Sequence, residues 1–343
     1  MRIGVVFDTP YEGWTPADHS KRMESELASC KEVEPEMEYQ VAYALGRNGH
    51  KVTLLGVNGD PAYAVSTLQE HPVDLVFNAA EGFGDNDQLD YLLPALLEAA
   101  KVPFTGAPPQ SLMLTRDKAM SKKVLHHHGV KVPRFVCYRL GESVGDNPPL
   151  NFPVIVKPLA TDASIGISRA SVVRTAEALA ARVGYIHERF GDAAIAEEFI
   201  EGRELYVSMI GNGDSVELLP PVELVFDKAK HKPEERIATR LAKWDDEYRA
   251  RRGIKTVFAR RLSKKAQTNL HAACHTAYRA MWLRDYARFD VRIDKNDDVW
   301  ILEANANPFI AEGHELPKSA EKAGLKYNEL IERIISTARA RYH

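Results

Sequence analysis

Cysteine is scarce in this sequence, and the little there is does not form pairs. Cys30, Cys137 and Cys274 are three in 343 residues, far apart and odd in number, so no disulfide framework is expected. No stretch approaches the roughly 20 consecutive apolar residues of a membrane span, which argues against an integral membrane protein. Charge of one sign is lacking too. The 45 Lys and Arg against 48 Asp and Glu leave a formal net charge of −3, no reason to expect nucleic acid or an anionic membrane as partner. The local basic runs Arg249, Arg251, Arg252 and Arg260, Arg261, Lys264, Lys265 read as solvated helix faces or lid residues. The first residues read as a strand rather than a secretion signal, and the cytoplasm is the expected location. The turn Asp8-Thr9-Pro10-Tyr11 has none of the glycines of a dinucleotide fingerprint, which argues against a nicotinamide enzyme. A Walker-type lysine loop is also missing.

What is present suits a soluble protein of several subdomains. The chain exceeds the roughly 250–300 residues at which single cores stop growing, and 45% hydrophobic with 27% charged content is that of a globular protein. Residues 1 to 113 alternate strand and helix, with strands at Ile3 to Phe7, Lys51 to Val57, Val73 to Asn78 and Val102 to Phe104. A helix from Pro35 ends at Asn48-Gly49, and Leu89, Leu92, Leu93, Leu96 and Leu97 recur at helical spacing. That order predicts a parallel α/β sheet. A second part, 114 to 202, opens with a helix from Arg116 to His128. It continues through a strand at Phe152 to Pro158, a helix over 172 to 190 and a strand at Ala194 to Ile200. The third part, 203 to 343, has strands at Glu204 to Ile210 and around Val216 to Val225, then a charged stretch, 226 to 255, with little apolar periodicity. A loop that long is read as a mobile lid. A helix from Ser263 to Trp282 follows. His126-His127-His128 closes a helix where cations suit the dipole, and His271 with His275 lacks a third ligand. Neither is taken as a metal site.

Two runs near the C-terminus are more pointed. Ala287 to Ile293 and Val299 to Asn305 alternate polar and apolar, the signature of strands, with a turn-like Asp294 to Asp298 between them. If Lys295 to Asp298 close the turn, Asp290 faces Glu303 and Arg288 faces Asn305 on one side of the ribbon. Phe289, Val291, Ile293, Trp300, Leu302 and Ala304 then fill the other side as a core face. Opposed residues bring their Cβ atoms to roughly 4.5–5.5 Å, and like charges so placed repel. A divalent cation such as Mg²⁺ would reverse that cost, because it takes oxygen ligands from carboxylates, amides and phosphates. On the hairpin alone, two surface carboxylates neutralised by Arg288 and Arg292 is an equally good reading.

Three further segments call for a common explanation with the hairpin. Lys157 ends an apolar strand and precedes Asp162-Ala163-Ser164-Ile165-Gly166-Ile167, a small-residue turn able to bring backbone N–H groups to phosphate. Glu197-Glu198-Phe199-Ile200 ends another strand before Gly202-Arg203-Glu204. Lys118 sits early in the helix after the first part. In this order and spacing the segments resemble the ATP-grasp superfamily, and within it the D-alanine–D-alanine ligases, over about residues 73 to 318. The resemblance implies an α/β (α+β) fold of three domains, a Rossmann-like N-terminal domain (1–113) and two antiparallel-sheet domains (114–202 and 203–343) that sandwich ATP, and it suggests a homodimer. It implies that Lys118 and Lys157 contact phosphates. Glu197, Glu198, Phe199 and Ile200 would meet the adenine, and Glu204 the ribose. Asp290, Glu303 and Asn305 would hold two Mg²⁺ ions, with Mn²⁺ as the alternative, while Arg288 stabilises the transferred phosphoryl group beside Ser164. Ala242-Lys243-Trp244 matches a lid segment whose lysine reaches the nucleotide.

The departures from the D-alanine–D-alanine pattern are concentrated on the substrate side. Ala163 stands where those enzymes place a serine, with Ser164 kept beside it, and Trp244 replaces a lid tyrosine. Neither reproduces their hydrogen-bonded triad with a glutamate, since Ala has no polar group and Trp only donates. Glu12 is the nearest candidate for that glutamate. Glu81-Gly82 replaces a His-Gly pair, and the substrate loop reads Phe309 to Glu315, with His314 and Glu315 among its bulkier and charged residues. The expected activity is an ATP-dependent carboxylate–amine ligase joining amino-acid-like substrates through an acyl phosphate, with a rebuilt substrate pocket. A D-alanine–D-alanine ligase proper, a phosphotransferase and a non-catalytic nucleotide-binding protein on the same scaffold are the alternatives.

Overall fold

A computed structural model describes residues 1–29, 35–84, 86–161 and 164–342. The chain builds three sheets. The first is parallel, in the order Lys51–Val57, Arg2–Asp8, Leu75–Asn78. Its strands are near-continuous apolar runs because helices cover both faces, and Ile3, Val5, Val6 and Phe7 are all buried. Val102 to Phe104, read as a strand, contributes only a bridge from Phe104 to Val76. The second sheet is antiparallel, in the order Phe135–Tyr138, Ala194–Glu198, Val154–Pro158, Val172–Val173. The third is also antiparallel and runs Ile254–Phe258, Val222–Phe226, Arg203–Gly211, Asp285–Ile293, Val299–Asn305. No helix among the described residues is long and apolar enough to cross a membrane.

Several elements differ from the sequence reading, each for a local reason. Helices Pro16–Ala28 and Pro61–Glu70 were not anticipated, because their apolar stripes are thin. Both nevertheless start on a capping residue followed by proline, Thr15-Pro16 and Asp60-Pro61. The helix expected from Arg116 to His128 is found as Lys118–His127, and a further helix, Pro109–Arg116, precedes it unanticipated. Asp117 leaves the helical region and accepts from the N–H groups of Ala119 and Met120 at 2.9 and 2.8 Å. The stretch read as a lid loop carries two short helices, Arg240–Trp244 and Asp246–Arg252, capped by Thr239 and Asp245. It buries Ile237 and Ala242 against the third sheet.

The decisive difference lies in the C-terminal hairpin. Arg288 pairs with Asn305, Phe289 with Ala304 and Asp290 with Glu303, as expected. The register then slips to Val291 with Ile301, leaving Leu302 in a bulge. Beyond the bulge the facing reverses. Val299 and Ile301 are buried where Trp300 and Leu302 were expected to be core, and the Trp300 Nε1 donates to Asp294 Oδ2 at 3.1 Å.

The C-terminal helices Glu315–Lys322 and Tyr327–Arg339 return to the first sheet, where Ile331, Ile334 and Ile335 share a core with Phe7, Tyr39 and Leu45. One buried anion ties this return together. Asp285, fully buried, accepts from the Gly106 N–H at 2.8 Å, from Asn212 Nδ2 at 2.8 Å and from Arg341 at 2.7 and 2.9 Å. Removing the cation would leave an uncompensated buried charge. Arg341→Met is expected to cost about 3 kcal/mol in urea unfolding, and a loss below about 1 kcal/mol would contradict that role.

Candidate active site

The second and third sheets face each other across a cleft, and the charges lining it are paired across the gap. Glu197, fully buried on its strand, sits 3.0 Å from Lys157 Nζ and 3.1 Å from Lys122 Nζ. Burial alone would raise the Glu197 pKa, but Lys122 and Lys157 outweigh it and hold the carboxylate ionised. Burial pulls the Lys122 pKa down, and Glu197 opposes it. The same ammonium donates to the carbonyl of Leu302 at 2.5 Å, so the bulge is anchored from the helix Lys118–His127. Lys118, one turn earlier on the same face, lies 3.2 Å from Glu303 and donates to the Thr161 carbonyl at 2.9 Å.

On the hairpin, Arg288 meets Asp290 at 2.8 and 3.3 Å and Glu315 at 3.7 Å, and Lys243 approaches Asp290 at 3.5 Å. Arg292 serves the other end of the cleft, bonding Glu204 at 2.7 and 3.1 Å and the Ile200 carbonyl at 2.6 Å, with its guanidinium 4.6 Å from the Phe199 ring. Burial would raise Glu303, yet Lys118, Lys243, Lys157 and Lys122 bring it down to about 2. Glu303 is therefore kept ionised by lysines, while Arg288 and Lys243 stand against Asp290. Asn305 turns its Nδ2 toward Asp290 Oδ1 at 3.3 Å, so its oxygen faces the other way. Two carboxylates and an amide oxygen are hard ligands that fit a magnesium ion, but they supply only part of its shell. Among the described residues no group of three or more His, Cys, Asp or Glu side chains could hold a metal by itself.

The cleft is lined by Lys157, Glu198, Phe199, Ile200, Glu204 and Leu302, and it adjoins a larger cavity of about 650 Å³. The two share Ser164, Lys243 and Glu303 as common wall. Ser164 has φ +58 at the end of the small-residue turn, whose Asp162 and Ala163 lie outside the described residues.

This geometry matches known proteins. The family model described as "D-ala D-ala ligase C-terminus" matches residues 124–336. The chain belongs to the D-alanine–D-alanine ligase family. It is 33% identical over 309 residues to the uncharacterized protein y4sG of Sinorhizobium fredii, covering 88% of this chain and 87% of that one. It is 28% identical to the D-alanine–D-alanine ligase of Desulforudis audaxviator, over 92% and 96% of the two chains. The fold is that of the D-alanine–D-alanine ligase from Bacillus anthracis complexed with ATP, with TM-score 0.74, 21% identity and coverage of 100% and 99%. VanG D-Ala:D-Ser ligase from Enterococcus faecalis has TM-score 0.70 at 19% identity, over 98% and 99% of the chains. The family is one of ATP-dependent ligases that form C–N bonds.

Within that family frame, the candidate residues fall into two groups. Glu81, Trp244, Arg288, Asn305, His314 and Glu315 line the larger cavity, with the Trp244 and His314 rings 5.5 Å apart. Glu12 does not: it is exposed on the loop after the first strand and lines neither cavity. A glutamate that sequence reasoning passed over, Glu36, lines the cavity immediately before the helix Met37–Arg47. Sequence reasoning also passed over Lys122, although its spacing from Lys118 marks a shared helix face, and the Asp90–Arg116 pair at 2.5 Å on the cavity wall. Beside Glu36, burial pushes Glu38 up to about 8, with Glu36 and Glu81 adding repulsion. The folded state thus keeps a proton there that the unfolded chain releases above about pH 4.5, so stability is lost as pH rises from there through about 8. Glu38→Gln, which cannot ionise, should raise Tm relative to wild type more at about pH 9 than at about pH 4.5; a pH-independent difference would contradict the assignment.

Proposed function

We propose that the protein is an ATP- and Mg²⁺-dependent carboxylate–amine ligase working through an acyl phosphate. The observation that carries this reading is the shared wall of the two cavities: Ser164, Lys243 and Glu303 belong to both, so a nucleotide in one and a carboxylate in the other would meet there. A carboxylate does not condense with an amine in neutral water, so it must first be activated. One of its oxygens attacks the γ-phosphorus, the bond to the β-phosphate oxygen breaks, and ADP leaves. The amine nitrogen then attacks the acyl carbon, phosphate departs with its electron pair, and the amine gives up a proton.

Such transfer depends on positioning and charge neutralisation. In our reading Lys118, Lys157 and Lys243 leave their carboxylate partners for phosphate oxygens. Glu197, Glu198, Phe199 and Ile200 seat the adenine, Glu204 the ribose, and Arg288 neutralises the phosphoryl group in flight. Asp290, Glu303 and the Asn305 oxygen would hold magnesium, which supplies charge neutralisation on the phosphates when bound. The short helices around Lys243 exclude water from the acyl phosphate. We extend the reading to a cytoplasmic homodimer with domains divided near residues 113 and 202, as the family resemblance implies.

The test is a screen of ADP release against pools of small carboxylates and amines, with the product identified by mass. An amide whose formation needs ATP supports the proposal, and a stable phosphorylated product without an amide overturns it. Dipeptide from D-alanine alone would make the protein a D-alanine–D-alanine ligase proper. Lys157→Ala should weaken ATP binding by roughly tenfold or more, since hydrogen bonds to charged groups contribute about 1.5–3 kcal/mol; unchanged affinity by calorimetry would remove its phosphate role. Glu303→Gln should abolish turnover and cost roughly 1–3 kcal/mol of stability at pH 7, because the lysines lose the counter-charge they hold ionised, while the core face stays untouched and the protein folds. Wild-type rates would remove the metal assignment.

A further inference from the structure

Among the described residues, one lysine and two arginines line the larger cavity, and each already has a carboxylate of the protein's own against it. Arg116 is held by Asp90 at 2.5 Å, with Asp87 at 3.6 Å. Lys243 faces Asp290. Arg288 lies between Asp290 at 2.8 Å and Glu315 at 3.7 Å. Glu315 begins the helix Glu315–Lys322, a position where a carboxylate also gains from the helix dipole, and Arg288 helps hold its pKa below the ordinary range against burial. It is thus a fixed anion inside the cavity, beside Arg288. The lining also includes Glu36 and Glu81 and, among the described residues, no lysine besides Lys243.

Two carboxylates would need to be accommodated if both substrates were amino acids. The reacting carboxylate of the donor is met by Lys243 and Arg288, which it shares with the phosphoryl group. Among the described residues, a carboxylate on the acceptor would find no further lysine or arginine without a counter-charge, and the remaining basic group, His314, adjoins Glu315. A buried, uncompensated charge next to a like charge is strongly disfavoured.

We propose that the acceptor is an amine carrying no carboxylate of its own, and that Glu315 is the specificity-determining residue that enforces this. The inference rests on the ligase reading and narrows it. Glu315 acts on substrate choice in two ways: it offers an ammonium group an ion pair as the acceptor enters, and it repels an acidic group at the same place. Decarboxylated analogues of amino acids, including diamines that also engage Glu36 and Glu81, are the chemical class that fits.

Matched pairs provide the test. ADP release and amide product are measured for wild-type protein with each donor acid against an amino acid and its decarboxylated amine, such as alanine with ethylamine, tyrosine with tyramine and lysine with cadaverine, in both stereochemical forms. Wild type should favour the amine in each productive pair by about tenfold or more in kcat/KM, the range set by one lost charged contact. In Glu315→Gln the ratio should fall by roughly the same factor, chiefly through KM for the amine rising and KM for the amino acid falling. Preference for the amino acid by wild type, or a ratio unmoved in Glu315→Gln, would overturn the proposal. The wild-type ratios decide it by themselves if that variant does not fold. Absence of ADP release with every pair would instead count against the ligase reading.

Discussion

Two carboxylates opposed on adjacent strands, Asp290 and Glu303, are the constraint around which this protein is organised. Left alone they would repel or share a proton. The fold relieves that repulsion by converging lysines from three separate elements and an arginine from the hairpin itself upon them. Lys118 comes from a helix, Lys157 from the second sheet and Lys243 from the short helices over the cleft. Glu303 is consequently ionised down to about pH 2. The cations that neutralise the hairpin in the free protein are of the kind that phosphate oxygens attract, so nucleotide and metal can exchange partners with them without leaving a charge exposed in a low-dielectric site.

The bulge at Leu302 gives this arrangement its geometry. An unbulged strand would point alternate residues into the cleft, whereas here Leu302 and Glu303 both line it. Lys122 fixes the bulge by bonding the Leu302 carbonyl and pairing with Glu197 on the facing sheet. One buried ammonium thus ties the helix Lys118–His127, the strand Ala194–Glu198 and the hairpin together. Elsewhere in the cleft Arg292 bridges Glu204 to the Ile200 carbonyl, so charged and apolar residues alternate along its lining. The larger cavity takes Ser164, Lys243, Arg288 and Glu303 from this frame, and its remaining walls come from the segment around Glu36, the loop after Asn78, the helix Pro109–Arg116 and the chain after Asn305.

Much of this was legible in the sequence where a single element carried the signal. The alternation in the hairpin put Asp290 opposite Glu303 and Arg288 opposite Asn305, and both pairs occur. The parallel sheet and the helix after Ser263 followed from local pattern, and the two antiparallel sheets from the family resemblance. What escaped depended on chain segments meeting at a distance. Nothing near Leu302 announces a bulge, because the alternation of Trp300 and Leu302 is itself apolar and regular. Glu36 outcompetes Glu12 for the cavity wall only because the helix after it packs on the first sheet. Lys122 acquires its role from a carbonyl 180 residues away. The charged stretch over 226 to 255 was read as loop because its helices are short and stabilised by caps, Thr239 and Asp245, rather than by an apolar stripe.

The most direct measurement is a crystal of the protein grown with ADP and Mn²⁺ and examined for anomalous scattering. The account predicts a manganese peak shared by Asp290, Glu303 and the Asn305 oxygen, with Lys118, Lys157 and Lys243 moved onto phosphate oxygens. Nucleotide bound with these carboxylates still paired to their lysines, and no metal between them, would contradict it.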